Sequence, residues 1–146
     1  MQYTQGKIGR VFVARVEHGD DLLAELKKLA GQEKIEAGIF YAIGAIKEAS
    51  LVVGPKACTR TPEAVRRNFN DCREMIGIGT IFQDNGAPAL HLHGALGKGD
   101  TALMGCIRGE SEVYLVAEVI ILELLDTGAV REFDAASELK ILSFLR

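Results

Sequence analysis

The chain has 146 residues, 48% of them apolar and 25% charged, which is enough for one folded domain and excludes a disordered tail or a low-complexity fibre. Seventeen basic residues against twenty acidic ones give a net charge of −3, unlike the basic balance expected of a small freestanding nucleic-acid binder. No run of about 18 uncharged apolar residues is present, so a membrane span is excluded, and Met1-Gln2-Tyr3-Thr4-Gln5 does not read as a secretory signal.

In chain order, Ile8 to Val16 reads as a strand rich in β-formers. Gly19-Asp20-Asp21 breaks it and offers a helix N-cap. Leu22, Leu23, Leu26, Leu29 and Ala30 follow at helical spacing, Lys27 and Lys28 suit the helix C-terminal half, and Gly31 is the expected stop. Ile35 to Ile46 and Ala49 to Val53 read as strands. Lys56 to Asp71 is the least regular part, with a turn of helix expected at Pro62 to Arg67 behind Thr61. Arg73 to Phe82 reads as a strand and Asp84-Asn85-Gly86 as a turn. Three strands then follow, Ala89 to Leu96, Thr101 to Ile107 and Glu112 to Leu125, with links short enough for antiparallel hairpins. The last is apolar along both faces, so both should be covered. Arg131 to Leu145 is expected to dock back. One helix among many strands predicts an α+β fold: two layers, a mainly antiparallel sheet, and a single domain over residues 1–146.

Cys58, Cys72 and Cys106 are too few and too unevenly spaced for a disulfide framework, which points to the reducing cytoplasm. The sharpest chemical signal is His91-Leu92-His93, because residues two apart on a strand share a face. A two-residue loop at Lys98-Gly99 would set Cys106 opposite His91. A loop at Gly99-Asp100 would set it opposite His93, and an odd loop would turn it to the far face. In either even register, His91, His93 and Cys106 form a ligand set for a divalent transition metal, with zinc favoured by the thiolate and a fourth position left open. The plain alternative is two histidines on a polar sheet face beside a packed cysteine.

Glu118 interrupts an apolar run and is therefore expected to be at least partly buried, with Arg10, Arg108 or a metal-bound water as partner. It is the candidate general base if the chain is a metal-dependent enzyme. Five basic residues between Lys56 and Arg73, against Glu63 and Asp71, give a local excess of +3 that could meet phosphate or simply be solvated.

Taken in order, Gly9-Arg10-Val11-Phe12, Gly19-Asp20-Asp21-Leu22-Leu23, Ala42-Ile43-Gly44-Ala45, His91-Leu92-His93, Met104-Gly105-Cys106-Ile107 and Ala117-Glu118-Val119 resemble the PPC domain (plant and prokaryote conserved). That family occurs freestanding in prokaryotes and fused to AT-hooks in plant nuclear proteins. The resemblance implies an α/β fold with a mainly antiparallel sheet and a homotrimer, and the chain is therefore expected to assemble with itself and with other proteins. It also implies a metal held by three histidines, the third in a Gly-Gly-His-Leu stretch. Met104-Gly105-Cys106-Ile107 stands in that place, so Cys106 matches the third histidine. The plant AT-hook lies outside the domain, and no Arg-Gly-Arg-Pro hook occurs here, so direct DNA binding is expected to be weak.

Overall fold

The computed structural model describes residues 1–145. Its elements are β1 (Lys7–Glu17), α1 (Leu22–Gln32), β2 (Ala37–Pro55), β3 (Ala64–Asp84), β4 (Ala87–Lys98), β5 (Thr101–Leu125), β6 (Ala129–Asp134) and β7 (Leu139–Phe144). They make a seven-stranded, largely antiparallel sheet in the order β1-β5-β2-β3-β6-β7, with β4 joining β3 to β5; one helix accompanies it, which fits the α+β class. The pairings β2–β3, β3–β4, β4–β5 and β5–β2 close on themselves, because the long strands β2 and β5 bend and meet along two stretches.

Several expected boundaries shift for local reasons. The two strands expected over 35–53 are one, β2, continuing through an irregularity between Ile46 and Glu48. Thr101–Ile107 and Glu112–Leu125 are likewise one strand, β5, carried past Gly109 by register shifts. The helical turn expected at Pro62 to Arg67 is not formed. Ala64 onward is β3, since Arg66, Arg67 and Asn68 pair with Val52, Leu51 and Ser50 of β2 and the ladder outweighs a weak local helix preference. The helix passes through Gly31 and ends at Gln32, after which Lys34 takes a left-handed conformation (φ 54°).

Asp21 caps α1 as the sequence predicts, accepting from the Ala24 backbone N–H at 2.7 Å. Its other carboxylate oxygen accepts from Ser111 N–H of β5 at 2.6 Å, so the cap also fixes the helix on the sheet. The inner stripe of Leu22, Leu26 and Ala30 is then fully buried over Phe40, Ile107 and Ile121. The helix covers only this inner side. On the outer side Val13, Ile120, Tyr41 and Ile78 lie in one row across four strands, and all are exposed. The C-terminal segment docks as expected, as the β6–β7 hairpin beside β3.

The buried carboxylate of the apolar strand is Glu123, not Glu118. Buried Ala117, Val119, Ile121 and Glu123 alternate on the inner face of β5, which turns Glu118 outward to solvent; no hydrogen bond or ion pair is found for it among the described residues. A register shift in β1 between Ile8 and Val11 wraps Gly9-Arg10 around Glu123. Arg10 then donates to Glu123 through its backbone N–H (3.1 Å) and its guanidinium (2.9 and 2.7 Å). Gly9 is required for this wrap, since a Cβ there would stand 2.8 Å from Glu123 Oε2. The hydrogen-bonding Arg10 guanidinium lowers the Glu123 pKa to about 2.

A carboxylate depressed from an ordinary value of 4.5 to about 2 contributes stability that is present above pH 4.5 and is lost as pH falls through about 2. Glu123→Gln should cost about 2 kcal/mol in urea unfolding at pH 7, since Arg10 stays half-exposed and partly solvated. The difference from wild type should shrink at pH 2. An equal loss at both values would contradict the ion pair's role.

Candidate metal centre

The cluster is built by strand alternation and one hairpin. Lys98 pairs with Thr101, so the loop is Gly99-Asp100, the second of the two even registers considered, and Cys106 lies opposite His93. Inner Leu92 and Leu96 are buried, which turns His91, His93 and Ala95 outward. Gly105 lets β5 close on β2 at this point. A Cβ there would stand 2.4 Å from the Val52 carbonyl oxygen, so any larger residue would push Cys106 off its register.

One ligand atom from each of His91, His93 and Cys106 lies within 4.8 Å of the others. The two Nε2 atoms face each other at 3.1 Å. Two nitrogens bound to one tetrahedral zinc at 2.0–2.1 Å stand about 3.3 Å apart, so the imidazoles are spaced for a shared ion. Two imidazoles and a thiolate also suit zinc chemically. The set therefore fits a transition metal and does not fit magnesium or calcium, which prefer oxygen.

The surroundings are basic. Arg131 of β6 reaches over β3 to place Nη2 at 3.4 Å from His91 Nδ1 and 3.1 Å from Thr80 Oγ1. Its guanidinium also lies over the Phe82 ring, at 5.6 Å from the centroid. Arg108 follows Cys106 by two residues on the same strand, so alternation puts it on the same face. Burial, reinforced by Arg108, Arg131 and His93, lowers the His91 pKa to about 4. Burial raises the Cys106 pKa, and the two arginines partly offset it. Neither arginine has a carboxylate partner among the described residues.

Glu118 stands apart from this cluster. It pairs with Ile43 of β2, which pairs with Ile76 of β3, which pairs with Ala95 of β4. Three strand spacings separate it from β4, about 14 Å at ~4.8 Å each. Within one chain the strand register does not bring Glu118 to the cluster. The basic stretch is also partly neutralised: Lys56 pairs with Glu63 and Arg73 with Asp71, which leaves Arg60, Arg66 and Arg67 to carry its excess. Sequence reasoning missed Arg131, which arrives through a long-range hairpin with no local signal. Arg108 was legible in principle, because alternation from Cys106 puts it on the same face.

Residues 3–125 match the Plants and Prokaryotes Conserved (PCC) domain, and the chain belongs to that family, the PPC domain of the sequence resemblance. No curated protein matches the chain. Among solved structures it is similar to a PPC protein from Pyrococcus horikoshii, with 26% identity and a TM-score of 0.85 over 100% of this chain and 99% of that one. A metal-containing protein from Archaeoglobus fulgidus has the same fold at 24% identity and a TM-score of 0.86, with 100% of both chains covered. A candidate DNA-binding protein from Bacteroides thetaiotaomicron is 25% identical with a TM-score of 0.79, over 99% of this chain and 100% of that one. Among the described residues no helix is long and apolar enough to cross a membrane.

In metal-free protein the His91 imidazole should titrate near pH 4, against an ordinary 6.5, when followed by NMR. Its depressed pKa makes the folded state lose stability as pH falls from 6.5 towards 4. Arg131→Gln should raise the midpoint without restoring it, because burial is the larger cause. A wild-type midpoint near 6.5 would contradict the buried, arginine-flanked setting.

Proposed function

We propose that the chain is a cytoplasmic, homotrimeric PPC-type assembly module, a two-layer domain over residues 1–146, that holds one zinc ion through His91, His93 and Cys106. The observation that carries the metal reading is the convergence of these three ligand atoms within 4.8 Å on one sheet face. A metal-containing protein of the same fold supports it, as does the spacing of the imidazoles. The assembly reading rests on the outer face. Tyr41, Ile43, Ile76 and Ile78 are exposed there beside one another on β2 and β3, and Ile76 keeps 64% of its surface in water. A contiguous apolar face of this kind is costly to leave wet and suits a subunit interface.

Metal analysis of untagged protein, paired with light scattering, tests both. The expected result is about one zinc per chain in a particle of three 15.8 kDa chains. His91→Ala/His93→Ala should lose the metal, Cys106→Ser should weaken it, and Cys106→His should retain it. Stoichiometric metal in the double variant would refute the site, and a monomer at micromolar concentration would refute the assembly.

DNA contact belongs to a secondary role. A relative of the same fold is named as a candidate DNA-binding protein, yet the net charge here is −3 and the basic stretch is partly paired. Binding to duplex DNA should be weak, and it should fall steeply between 50 and 200 mM salt. Nanomolar, sequence-specific binding at physiological salt in a filter assay would overturn this.

A further inference from the structure

Resting on the metal reading above, we infer that Arg108 and Arg131 form an anion-binding subsite beside the His91/His93/Cys106 cluster, and that the ligand of this site is a small molecule carrying an oxyanion group, carboxylate or phosphate. The two guanidiniums enter from different parts of the chain. Arg108 comes from β5, on the face of Cys106, and Arg131 from the β6–β7 hairpin, over Thr80 and His91. No carboxylate pairs with either among the described residues, whereas Arg10 pairs with Glu123 and Arg73 with Asp71. Arg131 is partly buried. Leu92 pairs with Ile107, so Arg108 lies one residue on from that pair on β5 as His91 does on β4, and Arg131 reaches the same His91. Two guanidiniums directed to one face, one of them partly buried, suit an anion.

Hydrogen-bond chemistry adds a second reason. A guanidinium can only donate, so in its contact with Arg131 the His91 Nδ1 must accept. His91 presents Nε2 to His93, at 3.1 Å, and that is the atom it would give to a metal. A neutral imidazole ligated through Nε2 carries its proton on Nδ1, where it meets another donor. Histidine ligands ordinarily donate that proton to a carboxylate or carbonyl. Here the described residues supply Arg131 and Thr80 instead. In the loaded site His91 Nδ1–H lacks an acceptor and Arg131 has only Thr80 Oγ1 as one, and a divalent ion, one thiolate and two guanidiniums leave the site strongly positive. An oxyanion supplies both the acceptor and the charge.

The test is calorimetric titration of inorganic phosphate, and separately of succinate, into zinc-loaded, dialysed protein, with zinc content measured on each sample. Wild type should bind one anion per chain saturably. Arg108→Gln and Arg131→Gln should each weaken it about tenfold, and the double variant should abolish it, with zinc content unchanged in all three. Arg60→Gln, on the exposed basic stretch, should change nothing. Tighter phosphate binding assigns a phosphorylated ligand, and tighter succinate binding a carboxylic acid. Zinc uptake without saturable anion binding, or equal binding in the double variant, overturns the subsite and leaves the metal reading intact. Failure to take up zinc overturns the metal reading. In that metal-free protein, arginine-dependent phosphate binding keeps the subsite, and its absence overturns it as well.

Discussion

Strand β5 runs from Thr101 to Leu125 and pairs with β4 and β2 along its first half and with β2 and β1 along its second. Which residues can meet elsewhere depends on the register this one strand imposes. In its first half, pairing with β4 brings Cys106 opposite His93. In its second half, alternation puts Val119, Ile121 and Glu123 on the buried inner face and Glu118 and Ile120 in water. The two halves are joined by register shifts around Gly109 to Tyr114, at the level where Asp21 caps α1 and holds Ser111. The helix cap, the hairpin and the buried Glu123–Arg10 pair are therefore set by the same strand, and slipping it by one residue would invert all of them.

The fold was legible where local pattern and tertiary context agree. The helix announced itself through Leu22, Leu26 and Ala30, and its Asp21 cap through position. The strands were visible as β-rich runs, but not their continuity: β2 and β5 cross irregularities that look in sequence like strand ends, because Gly109 and the residues around Lys47 interrupt the pattern without breaking the ladder. Pro62 to Arg67 looked helical because nothing local revealed that Leu51 and Val52 would pair with it. Long-range pairing is the part of a sheet that one sequence does not display.

The candidate site divides along the same line. His91 and His93 were fixed by a period of two, and Cys106 by loop parity, which the sequence limited to two even registers. The structure takes the one in which Gly99, with φ of 56°, begins the turn. The burial expected of Glu118 failed for a specific reason. In a strand apolar on both faces, hydropathy does not say which face is inside, so the carboxylate that deserved a buried partner was five residues further on. Its partner Arg10 is positioned by a bulge, which shifts β1 by one residue and is invisible in the alternation of either strand. Arg131 was out of reach for the same cause: it belongs to a hairpin whose docking beside β3 rests on tertiary contact.

The cluster and the apolar outer face are continuous, and this links the two parts of the proposed function. The row Val13, Ile120, Tyr41 and Ile78 runs across β1, β5, β2 and β3 and ends at His93 on β4, with Cys106 beyond it. A second copy laid on that row would come to rest beside the imidazoles. Burial there would exclude water from the cluster and strengthen the pull of both arginines on whatever anion lies between them, since charge interactions grow as the local dielectric falls. Assembly and ligand affinity would then be coupled through one face of one sheet. By linkage that coupling is reciprocal: to the extent that assembly tightens the anion, the anion must favour assembly by the same factor.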